Sequence, residues 1–251
     1  MQASLAACVL AALAWLTPLR AARRAGQVLF AAGFVGALAA WLLRLVVGRH
    51  IPLQTLYDVF LTLAVLMYPL AILCRRLAGP TPGWADPLLA AMLLAPVAMF
   101  LPPQPRPLPP ALDSWLFIPH VGAYLLGYVL LLKAGLQAGA ALLQPAKAPG
   151  MERTAYRLVV LGFPPLTIGL VLGAWWGQRA WGDWWNWDPK ELWSLASWLA
   201  FLLYLHVRRG GGAMRRYVGP ALLVAGGVLI VVTLVWVNLS TRFGGLHTYA
   251  G

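Results

Sequence analysis

Charge is what this sequence has least of. Only 10% of its 251 residues are charged, and seven are acidic, against 61% that are hydrophobic. A soluble domain carries about 25% charged residues, so a soluble globular fold is excluded. Cysteine is nearly as scarce. Cys8 and Cys74 both lie in or beside apolar segments, which leaves no disulfide framework and no zinc site. No C-x-x-C-H occurs, so the chain is not itself a c-type cytochrome. No internal repeat of solenoid or propeller type is present, and no stretch reads as an appended soluble domain.

What is present is apolar sequence in runs. Eight segments, about 3–19, 27–47, 53–74, 84–101, 115–133, 157–178, 189–207 and 217–238, approach the ~20 residues that cross ~30 Å of hydrocarbon. The expected fold is an all-α polytopic membrane protein with about eight transmembrane helices. The first segment has no basic residue ahead of it and Arg20, Arg23 and Arg24 behind it. A cleaved signal peptide has the opposite polarity, so this segment is expected to stay as a helix.

A net charge of +12 is compatible with nucleic-acid binding, but the basic residues sit in short clusters between apolar runs. Such clusters are orientation signals, and no nucleic-acid partner is expected. One set of connections holds Arg20/Arg23/Arg24, Arg75/Arg76, Lys147/Arg153/Arg157 and Arg208/Arg209/Arg215/Arg216. The other holds Arg49, the proline-rich 102–110 stretch with Arg106, a tryptophan-rich loop and a tail with Arg242. The positive-inside rule puts the first set in the cytoplasm. Both termini, the tryptophan loop, His120 and His247 are then expected outside.

The tryptophans are unevenly spread. Eight of thirteen fall within 175–198, around the core Trp181-Gly-Asp-Trp-Trp-Asn-Trp-Asp-Pro-Lys-Glu191. A membrane-interface belt spreads its aromatics over many helix ends, as Trp15, Trp41, Trp84 and Trp236 do. A cluster in one loop suits a platform for a flat ligand, with the belt as the alternative. Asp188-Pro189-Lys190-Glu191 reads as an N-cap aspartate, proline at the first helical position and glutamate at N3. That predicts a helix beginning at Pro189. Capping thus accounts for Asp188 and Glu191, and neither they nor Asp183 is given a proton-transfer role.

Four histidines are present. His120 opens the fifth segment and His247 follows the eighth, so topology puts both on the face of the tryptophan loop. Two neutral imidazoles about an aromatic platform suit axial ligation of haem iron, with an interfacial role for each as the alternative. Arg179, Lys190 and the start of the seventh helix could meet the haem propionates, because helix starts favour anions. His206 lies 17 positions beyond Pro189, ~26 Å along a helix, near the opposite side of the membrane. An intramembrane imidazole is a functional candidate, although near a helix end it could simply snorkel. A single histidine leaves a six-coordinate haem incomplete, so a partner subunit is expected to supply the second ligand. His50 reads as a loop residue. Asp58, a buried acid, pairs with Arg44 in a structural role.

At these residues the sequence resembles a known family. The tryptophan core is similar to the WWD motif of System II cytochrome c biogenesis proteins, the CcsA/ResC family. The likeness extends through Tyr156-Arg-Leu-Val-Val-Leu-Gly-Phe-Pro-Pro-Leu-Thr-Ile-Gly169, Tyr204-Leu-His-Val-Arg208 and Gly245-Leu-His-Thr-Tyr249. Pro52-Leu-Gln-Thr-Leu-Tyr-Asp58 and Trp115-Leu-Phe-Ile-Pro-His120 also resemble family segments. It divides the chain into N-terminal helices at 1–47 and a CcsA-like core at 48–251, with the haem-binding loop at 175–193.

The resemblance implies a haem lyase (synthase) that moves haem b from the inner to the outer side. There haem is attached through thioether bonds to the C-x-x-C-H of apocytochrome c. It implies haem contacts from Trp181, Trp184, Trp185, Trp187 and Asp188, with His120, His247 and His206 as iron ligands. A CcsB/ResB-type membrane protein is the implied partner, alongside apocytochrome c, haem and membrane lipids. The implied location is the bacterial cytoplasmic membrane with its active face outside, and a plastid thylakoid membrane is the second choice. Departures from the family pattern are Trp184 for a frequent tyrosine, Asp58 for glutamate and Thr248 for serine. A haem exporter without ligase activity, or a structural subunit of a respiratory complex, are the rival functions.

Overall fold

The computed structural model describes residues 1–104, 113–210, 212 and 214–237. His247, Thr248 and Arg242 lie outside the described residues, as does Arg106. Among the described residues there are eight α-helices and no strand. They divide into two compact units, Met1–Pro109 and Pro110–Gly251.

The first unit holds α1 (Gln2–Ala14), α2 (Arg20–Gly48), α3 (Leu56–Leu77) and α4 (Ala85–Met99). The expected first segment, 3–19, shortens to thirteen helical residues. Pro18 explains this, since it lacks an N–H and disfavours helical geometry at Thr17. The Thr17 hydroxyl donates to Ala14 O at 2.8 Å. Helix α1 packs on α2 through small residues. A Cβ at Gly33 would lie 2.8 Å from Cys8 Sγ, and one at Gly36 only 2.4 Å from Ser4 Oγ. The predicted pairing of Arg44 with Asp58 is present. Asp58 stands in the first turn of its helix, at N3 of a capping box with Thr55. Arg44 also lies over the Tyr57 ring, 4.5 Å from its centroid. Ion pair, cation–π contact and cap together fix the junction of α2 and α3.

The second unit holds α5 (Phe117–Leu143), α6 (Ala148–Trp181), α7 (Pro189–Arg209) and α8 (Gly219–Val231), the last flanked by wide turns at Met214–Val218 and Val232–Trp236. Here the apolar pattern undershoots the helices. Helix α5 runs ten residues past the expected end at 133. Lys133 interrupts the apolar run but is only 3% exposed, so the helix does not stop where charge begins. Helix α6 starts nine residues before 157 and includes Glu152, Arg153 and Arg157. Its 34 residues reach ~50 Å at 1.5 Å per residue, well beyond the ~30 Å of a hydrocarbon core.

The connection between α5 and α6 is a short turn at Pro145–Lys147, so the two helices return antiparallel. Glycines allow their close approach, since a Cβ at Gly127 would stand 2.9 Å from Leu166 N. Among the described residues, five helices are long and apolar enough to cross a membrane: α2, α3, α5, α6 and the one containing α8. Helices α1 and α4 are apolar but shorter. Helix α7 has the length, at 21 residues, but carries charge at both ends.

Candidate functional site

Helices α5 and α6 of the second unit meet around His120. It sits in the first turn of α5, and its Nδ1 is 2.9 Å from Gly169 O on α6. A carbonyl only accepts, so this contact fixes the Nδ1–H tautomer. The ring stacks on Trp176 at a 5.7 Å centroid separation and 27°. The edge of Tyr124 meets it at 5.1 Å and 87°. The α6 backbone makes the space for it. A Cβ at Gly173 would fall 2.5 Å from His120 Cε1, and one at Gly169 2.8 Å from Tyr124 Cδ2. Glycine is therefore required twice, on successive turns of one helix face.

Trp176 is the centre of this aromatic group and is 2% exposed. It also packs with Trp181 at 4.8 Å and with Phe117 at 6.1 Å. Neighbouring Trp175 points elsewhere: it meets Trp115 at 5.2 Å, edge to face. Arg179 lies over these last two rings, at 5.8 Å from Trp175 and 5.9 Å from Trp115. The tryptophan run is thus not one platform. It is an enclosed cluster about His120, an exposed pair under Arg179, and the loop.

The loop begins where α6 ends at Gly182, whose φ of 88° is left-handed and easy for glycine. It ends in the predicted capping box. Asp188 Oδ1 accepts from Lys190 N at 2.8 Å. The Glu191 carboxylate accepts from Asp188 N at 3.1 Å and from Asn186 N at 2.8 Å. Between those two anchored amides stands Trp187, with φ at 56°. That is an unusual conformation for a bulky side chain, and it persists where the flanking structure over-determines it. The result is that Trp187 is held out from the surface, 65% exposed, near Trp184 in sequence at 61%. Trp185 meets Trp187 edge to face at 6.0 Å.

His206 is placed differently. It lies near the far end of α7, about 26 Å from Pro189 along the axis, as its spacing predicts. Its Nδ1 contacts Leu202 O of its own helix at 2.8 Å, and the side chain is exposed. It falls on the same α7 face as the exposed Leu192, Leu199 and Leu203. Close by, Arg208 pairs with Glu152 of α6 at 3.8 Å and lies over the Tyr156 ring at 5.0 Å. His50 contacts Ile51 O through Nδ1 at 3.1 Å in the segment after α2, as expected of a loop residue.

Of the sequence-predicted residues, the structure brings His120 and Trp181 into one cluster. Trp184, Trp185, Trp187 and Asp188 share the loop, Lys190 opens α7, and Arg179 stands with Trp115 and Trp175. His206 is apart from them. Sequence reasoning missed Trp176, Tyr124 and the two glycines. The signal was available: Gly169, Gly173 and Gly177 recur every four residues, which marks one helix face kept clear for a neighbour.

Residues 25–243 match the family model described as cytochrome C assembly protein. The chain belongs to this family. Among its relatives are three proteins named cytochrome c biogenesis protein CcsA. The one from Chlamydomonas reinhardtii is 35% identical over 219 residues, covering 80% of this chain and 61% of the relative. That from Gloeobacter violaceus is 43% identical over 122 residues, 48% of this chain and 35% of the relative. That from Rippkaea orientalis is 47% identical over 103 residues, 41% of this chain and 29% of the relative. The matches thus span between about a third and three fifths of those CcsA proteins.

Proposed function

We propose that this cytochrome c assembly family member handles haem b as substrate and presents it for attachment to the C-x-x-C-H of apocytochrome c. The observation that carries this reading is the environment of His120. Its Nδ1 is engaged by Gly169 O, so a metal would be taken at Nε2, and a carbonyl behind the ring is how metal-ligating histidines are oriented. Trp176 stacks on it and is backed by Trp181, and the exposed Trp184 and Trp187 stand on the neighbouring loop. A flat apolar macrocycle with a central cation needs such indole surfaces beside one oriented imidazole. The relatives' name, cytochrome c biogenesis protein CcsA, supports the same reading.

In the proposed arrangement the His120 end of the second unit faces the outer side of a bacterial cytoplasmic membrane. His120 and His247 hold the iron, the loop tryptophans contact the macrocycle, and Lys190 or Arg179 meets the propionates. Arg179 then has to leave its place over Trp115 and Trp175. Attachment adds each substrate thiol across a haem vinyl group, with sulfur bonding one carbon and the proton reaching the other. The protein's share is positioning. His206, exposed and oriented by its own helix, receives haem nearer the cytoplasm with a second ligand from a CcsB/ResB-type partner.

The test is to purify the chain with and without that partner and record the visible spectrum. A Soret band of the isolated chain that is lost in His120→Ala supports the reading. Its absence from both folded samples overturns it. Co-expression with a C-x-x-C-H reporter then separates attachment from export: covalent haem marks a synthase, and delivery of free haem alone marks an exporter.

A further inference from the structure

Trp198 is the last of the clustered tryptophans, and the proposed function does not use it. It stands nine residues beyond Pro189 on α7, ~14 Å along the axis, and packs on the middle of α6. There α6 carries two consecutive prolines, Pro164 and Pro165. Neither has an N–H to give, so the helical ladder lacks its bonds to the carbonyls of Val160 and Leu161. Proline inside a helix bends it, and in a membrane span neighbouring helices and Ser/Thr side chains take over the lost support.

Trp198 grips α6 on both sides of that break. Its ring stacks on Phe163, just before the prolines, with centroids 5.5 Å apart at 28°. Its Nε1–H donates to the Thr167 hydroxyl, just after them, at 2.9 Å. The same hydroxyl donates its own proton to Phe163 O at 2.9 Å. A hydroxyl can do both at once, and linked bonds of this kind strengthen one another in a low dielectric. Everything that α6 offers to His120 lies beyond the break: Gly169 O, the clearance at Gly173 and the Trp176 ring. Trp176 is ~17 Å past Pro165 along the axis, so a tilt of about 10° at the break would carry it roughly 3 Å. That is enough to part it from the imidazole.

We infer that Trp198 is a positioning residue, which locks the Pro164–Pro165 break through Phe163 and Thr167 and so holds the outer half of α6, with Gly169 O, against His120. The tryptophan run then contains a strut as well as a ligand surface. The consequence for haem rests on the proposed function; the lock itself does not.

Three conservative variants test it in the full-length chain. Trp198→Phe keeps a ring for Phe163 and removes the N–H. Thr167→Val keeps the shape and removes the hydroxyl, whereas Thr167→Ser keeps the hydroxyl. Hydrogen exchange without haem reads the lock. Trp198→Phe and Thr167→Val should exchange faster across 166–173 but not across 152–160, and Thr167→Ser should match wild type. Unchanged exchange at 166–173 would mean that α5 alone holds this half of α6, and overturns the inference. Acceleration spread evenly along α6, or a Thr167→Ser chain as loose as Thr167→Val, overturns it too. Haemin titration reads the consequence. Partners behind a metal ligand are worth roughly tenfold or more in affinity, so Trp198→Phe should weaken haemin by about tenfold, and the loss should vanish in a His120→Gly background. An equal loss in that background makes Trp198 a general structural residue and overturns its positioning role. If the wild-type chain takes up no haemin at His120, the proposed function fails while the exchange measurement still decides the lock.

Discussion

His120 and His206 are oriented by the same device and yet belong to different kinds of place. Each has Nδ1 on a backbone carbonyl, at 2.9 and 2.8 Å. For His120 the carbonyl belongs to another helix, and Trp176 and Tyr124 close the ring in. For His206 the carbonyl lies one turn back on its own helix, and the ring is left looking outward. The first orientation is a product of tertiary packing, whereas the second needs only α7. A histidine of the first kind can be complete within one unit. A histidine of the second kind, on an apolar face, acquires surroundings only from something beyond its helix.

Gly173→Val breaks the first half of this comparison most severely. Its branched side chain begins 2.5 Å from where His120 Cε1 now sits, and α6 is held in place by α5. The ring must leave. Overpacking of this kind costs about 1–3 kcal/mol. Haemin uptake should fall as far as in His120→Ala, while the partner-dependent signal assigned to His206 survives. Retention of haemin at His120 in a folded Gly173→Val protein would show that the ring is not confined by α6.

Next in size is His206→Ala. In the isolated chain it should change neither stability nor the His120 spectrum, because the ring is exposed and its Nδ1 is held by its own helix. With the partner present it should remove one haem signal completely. If the isolated chain loses haemin in this variant, the two histidines are not separate sites.

Much of this contrast is legible in the sequence, and the illegible part has a physical cause. The Asp188–Glu191 cap is local chemistry within four residues, so it can be read directly. The ~26 Å separation of His206 from the helix start follows from helix rise alone. Helix ends at Leu143 and Ala148 cannot be read from apolarity, because Lys133 is buried and Glu152 is helical. The partnership of His120 with Trp176 is hidden for a different reason. Trp175 and Trp176 are identical in type and adjacent, and only the packing of α5 on α6 decides which one faces the histidine. The four-residue glycine spacing points to the correct face, but only once the neighbour is known to be α5.

The loop between the two environments gives a smaller, sharper effect. Glu191→Gln keeps the shape of the cap but removes the negative charge that receives two backbone amides. Bonds to a charged acceptor are worth roughly twice neutral ones, and a cap contributes about 1 kcal/mol. Thermal unfolding should report a loss of about 1 kcal/mol. Trp187 should relax from its left-handed φ, with faster exchange at Asn186 and Asp188. Loop exchange equal to wild type would mean that the strain at Trp187 is held by something other than Glu191.

The smallest effect belongs beside His206. Arg208 and Glu152 stand 3.8 Å apart and partly exposed, the class of ion pair that contributes about 0–1 kcal/mol. Glu152→Gln should therefore shift stability by less than about 1 kcal/mol and leave the His120 spectrum untouched. Arg208 also covers the Tyr156 ring, so Arg208→Ala should cost more than Glu152→Gln through lost packing. That ordering separates a helix end held by stacking from one held by charge. Equal losses in the two variants, both suppressed by added salt, would make the α6–α7 junction near His206 electrostatic after all. It would then loosen with ionic strength in a way that the packed enclosure of His120 cannot.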